Sequence, residues 1–244
     1  MKNRKITAYS LTAALLLIGL FSFNNEANAQ WQQLPGSALD IAAGADGSVW
    51  IIGTNNRTYQ WNEDNFEWDE RGGTASRIAV DPNGNAWVIN RDNEIFQRRG
   101  NNWAQMPGRA HDIDIGGNGE VWIIGMDDTP YRWDDDSYEW LEISGTARRI
   151  GVGPEGTAFV VNRNNEIFRR RGNSWEQLPG EANHIAVGAE GTVFILGTNN
   201  SVYKWNDENY EWEEYGGTAT RITVSSDGKP FVVNRRNEIY QGRR

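Results

Sequence analysis

The chain has 244 residues, 38% of them hydrophobic, with 27 Gly, 12 Trp, no Cys and a formal charge of -9. This apolar content excludes a disordered chain, and the absence of Cys excludes a disulfide scaffold. The acidic balance disfavours nucleic acid as a partner, because phosphate backbones are held by clustered Lys and Arg.

In chain order, residues 1–29 differ in composition from everything after them. Lys2, Arg4 and Lys5 open the segment, residues 11–23 are apolar, and Ala27-Asn28-Ala29 has the small-x-small form of a cleavage site. The pattern predicts a secretory signal peptide cut near Ala29 and a secreted or periplasmic product. The apolar run is shorter than the ~20 residues a spanning helix needs, so no membrane insertion is expected. The leader carries three basic residues and Glu26, so its loss deepens the charge from -9 to -11.

Residues 30–244 repeat. Trp31, Trp103 and Trp175 open WQQLPG, WAQMPG and WEQLPG, spaced by 72, and Trp68, Trp140 and Trp212 keep that interval. Each 72 divides into 37 plus 35: Val49-Trp50-Ile51-Ile52 matches Ala86-Trp87-Val88-Ile89, and Tyr59 matches Phe96. Six copies result, in three odd-even pairs. A fixed period of this size sets the architecture. Within the first copy, alternating apolar residues predict strands near 38–43, 49–53, 57–61 and 66–70, separated by Gly, Asn and Asp turns. One four-stranded antiparallel sheet cannot bury both faces alone, so six arranged radially predict an all-β, six-bladed β-propeller. The sixth copy has only three strands before the chain stops, and a surplus strand stands at the start. Trp31 to Leu34 is therefore expected to complete the last blade and close the ring.

The pattern from Trp31 to Trp50, repeated with changes from Trp103 to Trp122 and from Trp175 to Phe194, resembles the tectonin repeat. Proteins similar in this way include tectonins and tachylectin-1-type lectins. The resemblance implies a sugar-binding propeller that recognises surface glycans or lipopolysaccharide.

Enzymatic motifs are scarce. His111 and His184 are the two histidines, and no Gly-x-Ser-x-Gly elbow, phosphate loop or His-Glu-x-x-His pair occurs. The expectation is a non-catalytic, multivalent lectin with no cofactor, against an alternative of an envelope protein-interaction scaffold. The second-to-third strand turns of the even copies supply candidate sugar ligands: Asn90, Arg91, Asn93 and Glu94; Asn162, Arg163, Asn165 and Glu166; Asn234, Arg235, Asn237 and Glu238. Planar polar side chains of this kind donate and accept hydrogen bonds at once, although Asn is also a hairpin former. Trp61, Trp133 and Trp205 occur only in odd copies and suggest stacking platforms, or equally packing between blades. Trp50, Trp87, Trp122, Phe159, Phe194 and Phe231 recur in every copy and are assigned to the core. Along the innermost strands, Asp40, Arg77, Asp112, Arg149, His184 and Arg221 alternate, which predicts ion pairs between blades in preference to the alternative, an anion or sugar-carboxylate site at the channel mouth. The basic tips at Arg98, Arg170 and Arg171 are candidates for phosphate groups on an anionic glycan.

Overall fold

The computed structural model describes residues 30–243, so the expected leader and Arg244 lie outside the described residues. Every regular element among them is a strand. The first seven are β1 (Trp31–Ala43), β2 (Val49–Gly53), β3 (Arg57–Asn62), β4 (Glu67–Thr74), β5 (Arg77–Val80), β6 (Ala86–Ile89) and β7 (Glu94–Arg99). Next come β8 (Asn102–Ile115), β9 (Val121–Gly125), β10 (Pro130–Asp134), β11 (Glu139–Glu142), β12 (Arg149–Val152), β13 (Ala158–Val161) and β14 (Glu166–Arg171). The last are β15 (Ser174–Val187), β16 (Val193–Gly197), β17 (Ser201–Asn206), β18 (Glu211–Thr218), β19 (Arg221–Val224), β20 (Pro230–Val233) and β21 (Glu238–Gly242).

These strands form three seven-stranded antiparallel sheets, in the orders β19-β20-β21-β1-β2-β3-β4, β5 through β11, and β12 through β18. The long strands β1, β8 and β15 each serve two partners. The front of β1 pairs with β21, and its back, from Ala38, pairs with β2. The exchange falls at Pro35-Gly36, where register shifts between Leu34 and Ser37. Pro35 has no N–H to give the ladder, and Gly36 takes a φ of 86° that a side chain resists. The strand thus changes partner without ending, which is why the two segments expected at 31–34 and 38–43 are one element. The expected pairing of the chain ends is present: Trp31 faces Gly242 and Leu34 faces Ile239.

Segments of β1, β5, β8, β12, β15 and β19 lie side by side in that order, and β19 returns to β1. They form a closed circuit around a channel, a propeller-like arrangement. Between successive segments sit apolar clusters, such as Trp50, Ile52, Ile78 and Val88. All six second-strand aromatics assigned to the core are buried, Trp50 at 2% exposure and Phe159 at 6%. Each such side chain contributes about 1.5–3 kcal/mol on leaving water, so the wall of the channel is rigidly backed.

Candidate functional site

The channel is built by the exposed edges of the six inner segments. An edge strand presents backbone N–H groups that need acceptors. Two copies meet this need with a carboxylate. Asp40 Oδ2 accepts from the Ile78 N–H at 3.2 Å, and Asp112 Oδ2 accepts from the Ile150 N–H at 3.0 Å. The other oxygen of each faces an arginine of the preceding copy: Asp40 Oδ1 lies 3.3 Å from Arg221 Nε, and Asp112 Oδ1 lies 3.4 Å from Arg77 Nε. Arg149 NH1 stands 3.9 Å from Asp112 Oδ1. Each arginine is braced by donation from NH1 to the carbonyl before it, those of Ser76, Arg148 and Thr220. The expected ion pairs are therefore present at Asp40 and Asp112, and His184 interrupts the alternation. Burial pushes the Asp40 carboxyl up from its ordinary range against the pull of Arg77 and Arg221. Burial also holds the His184 imidazole well below its usual value, and Arg149, Arg221 and Arg77 add to that. His184 is neutral at physiological pH, with Nδ1 3.2 Å from the Ile185 carbonyl.

One layer deeper, the equivalent positions carry Ala42, Ala79, Gly151, Ala186 and Thr223, whereas the third copy carries Asp114. Its Oδ2 accepts from the Val152 N–H at 2.7 Å. Burial nevertheless dominates the backbone hydrogen bonds, and Asp112 and Asp40 add negative charge nearby. The Asp114 pKa rises from 3.8 to about 7. Below this layer, Gly117 donates to the Gly153 carbonyl at 3.2 Å and packs against Pro154 and Ala189. Since Gly117 and Ala189 belong to copies that are not neighbours, this contact pinches the channel. At the collar the arginine side chains keep 17–22% of their surface exposed. The cavity between collar and pinch is lined by Asp40, Arg77, Asp112, Asp114, His184 and Thr223 and measures ≈ 40 Å³. A water needs about 10–15 Å³ measured in this way, so the well has room for a few waters and none for a hexose ring. Among the described residues, no group of three or more His, Asp or Glu is arranged to hold a metal ion. Sequence reasoning passed over Asp114; its signal was a carboxyl at a position where five other copies are small or hydroxylated.

The turn residues singled out from the sequence have other occupations. Asn90 Oδ1 accepts from the N–H groups of Asp92 and Glu94, both at 2.9 Å, while its Nδ2 donates to Glu94 Oε2 at 2.7 Å. Asn162 with Glu166, and Asn234 with Glu238, repeat the brace. Asn93, Asn165 and Asn237 hold the left-handed corner, with φ of 63–66°. The recurrence of Glu in the even copies thus has a structural cause. Arg91 and Arg235 are exposed at the hairpin tips, and Arg163 pairs with Asp128, which His111 also meets at 3.1 Å. Trp133 and Trp205 are each 7% exposed and donate from Nε1 to Asp135 and Asp207 at 2.7 Å. They stand 4.9 and 4.8 Å from Trp140 and Trp212, as Trp61 stands 4.9 Å from Trp68. Trp61 is the more open of the three and borders a cleft with Glu63, Asp227 and Lys229. Of the basic tips, Arg98 lies over Trp50 and Trp103, and Arg170 lies over Trp175. Arg171 pairs with Glu176, holding that carboxyl down at about 2 with help from Tyr210 and Arg169.

A Tectonin domain model matches residues 74–159, so the resemblance to the tectonin-repeat family is borne out over that stretch. No curated protein matches the chain by sequence. Among solved structures, a gluconolactonase from Xanthomonas campestris is 14% identical, with a TM-score of 0.66 over 87% of this chain and 88% of its own. A streptogramin B lyase is 12% identical, with a TM-score of 0.61 over 86% of this chain and 96% of its own. YCF48 bound to a D1 peptide is 15% identical, with a TM-score of 0.59 over 88% and 97%. Such distant likeness establishes the fold. The expectation of a lectin or non-catalytic scaffold without catalysis is corrected to this extent: the fold is shared with a lactonase and a lyase and does not set the protein apart from enzymes. A propeller-like ring does not select sugar binding, and missing sequence motifs do not exclude an enzyme on it.

Proposed function

We propose that this chain, with its tectonin repeats on a propeller-like fold, is an enzyme that uses Asp114 for proton transfer at the base of the central well. In this reading each seven-stranded sheet is two four-stranded blades sharing one long strand, which makes a six-bladed ring. The observation that carries the proposal is the lone Asp114 carboxyl, whose pKa of about 7 suits a group that must accept and return a proton near neutrality. The well takes the reacting water and the collar takes the substrate, which matches the volume of ≈ 40 Å³ below the arginines. In this reading the substrate is a small lactone or ester seated over the collar, a choice supported by the distant likeness to a gluconolactonase. Ionised Asp114 accepts a proton from water, the resulting oxygen nucleophile attacks the acyl carbon, and the C–O bond of the leaving alkoxide breaks. The alkoxide then recovers the proton. The arginines of the collar stabilise the oxyanion as it forms. With residues 1–29 as an export leader, the proposed site of action lies outside the cytoplasm.

The test is hydrolysis of D-glucono-δ-lactone and a panel of small lactones and esters. The wild type is expected to turn over at least one, with kcat/KM rising as pH passes about 7 and Asp114 ionises. Asp114→Asn is expected to lower kcat by about 10²–10⁴. No turnover across the panel, or full activity of Asp114→Asn, overturns the proposal.

A further inference from the structure

The collar is built by one rule applied twice and broken once. A carboxylate at the odd position accepts the next copy's backbone N–H and faces the preceding copy's arginine, as Asp40 does between Ile78 and Arg221 and Asp112 does between Ile150 and Arg77. By the same 72-residue relation, the third slot lies between the Ile222 N–H and Arg149. There the chain supplies His184, an imidazole with no negative charge. The Nε of each of Arg77, Arg149 and Arg221 is buried without a hydrogen bond, but Arg77 and Arg221 have a carboxylate oxygen at 3.4 and 3.3 Å, whereas Arg149 meets only Asp112, through NH1 at 3.9 Å. Three arginines thus share two carboxylates in this layer. A half-buried cation short of its counter-charge is costly.

We infer that the third slot, between Arg149, His184 and Ile222, binds the carboxylate of a small ligand, which completes the threefold collar. Arg149 supplies the charge and the Ile222 backbone a donor, and His184 and Ile222 line the same cavity as Asp114. The limited volume admits a carboxylate headgroup and leaves the rest of the molecule over the collar. As a determinant of substrate, this inference rests on the enzymatic reading and restricts it to lactones or esters bearing a carboxylate; as an anion site it stands without that reading.

Formate, the smallest carboxylate, is the probe. Thermal melts of the wild type at pH 8, with formate exchanged for chloride at constant ionic strength, are expected to rise by about 3–5 °C once formate is about tenfold above its Kd. His184→Asp supplies the missing carboxylate from within, so this variant is expected to melt higher than wild type without formate and to lose the response to it. His184→Gln leaves the slot open and is expected to keep the response. Should His184→Asp fail to fold, Arg149→Gln serves in its place and is expected to weaken formate binding at least tenfold. An equal response to chloride, no response to formate, or a full response in His184→Asp or Arg149→Gln overturns the inference. Asp114→Asn separates the two proposals: it is expected to lose turnover and keep the formate response. Turnover without formate binding defeats the anion site alone, and formate binding without turnover defeats the enzyme alone.

Discussion

A carboxyl that titrates near neutrality inside a fold carries a thermodynamic signature apart from any chemistry it performs. The folded Asp114 has its pKa raised from 3.8 to about 7, so the folded chain holds this proton more tightly than the unfolded chain. The resulting stability is fully present below pH 3.8 and is lost as pH rises through about 7. At pH 8 the protein therefore carries the cost of an ionised, enclosed carboxylate. Asparagine keeps an acceptor for the Val152 N–H without the charge. Melts of Asp114→Asn against wild type are expected to show a gain of several degrees at pH 8 that shrinks toward zero near pH 4. A variant less stable than wild type at pH 8 would show that burial does not penalise this carboxylate.

At the scale of the element, the hairpins and the crossovers obey different constraints. Much of the hairpin plan was legible in the sequence: the spacing placed the strands, and Asn56, Asn93 and Asn200 fall where a left-handed corner is needed, each with φ of 63–64°. The continuity of β1, β8 and β15 was not legible, because Pro-Gly signals a break while extended backbone passes through it to a new partner. Nor was the burial of Trp133 and Trp205, since periodicity cannot tell an outer face from one covered by the hairpin tips Tyr138 and Tyr210. Asp114 was visible as a break in the threefold pattern, but its chemistry depends on enclosure by five other segments, which no local window contains. The glycines near the ends of β4 and β18 offer a test of packing against backbone strain. Gly72 and Gly217 both have left-handed φ, 72° and 83°. A Cβ on Gly72 meets open space, whereas one on Gly217 would lie 2.6 Å from Trp31 Nε1. Gly72→Ala is expected to cost about 1–2 kcal/mol from strain alone, and Gly217→Ala clearly more in the same denaturant titration. Equal losses would show that Trp31 yields freely.

Across the whole molecule, the inner segments form a closed circuit, so no segment is left without a neighbour on either side. The circuit is completed by the two ends of the described chain. Arg243 N–H donates to the Gln30 carbonyl at 3.1 Å, and Trp31 Nε1 donates to the Gly216 carbonyl at 3.1 Å. Ends this close permit a circular permutant: linking 243 to 30 and opening the exposed tip between Asp136 and Ser137 is expected to leave a cooperative melt within a few degrees of wild type. Deleting residues 30–37, by contrast, strips β21 of its mate and is expected to abolish cooperative melting. A permutant that cannot fold would show that the order of synthesis matters as much as the final pairing. That order has its own consequence. Trp31 and Gly242 pair across about 200 residues, and a ribosome adding roughly 5–20 residues per second needs about 10–40 s to cover them. Throughout that interval the front of β1 waits without its mate, an adhesive margin that persists until β21 emerges.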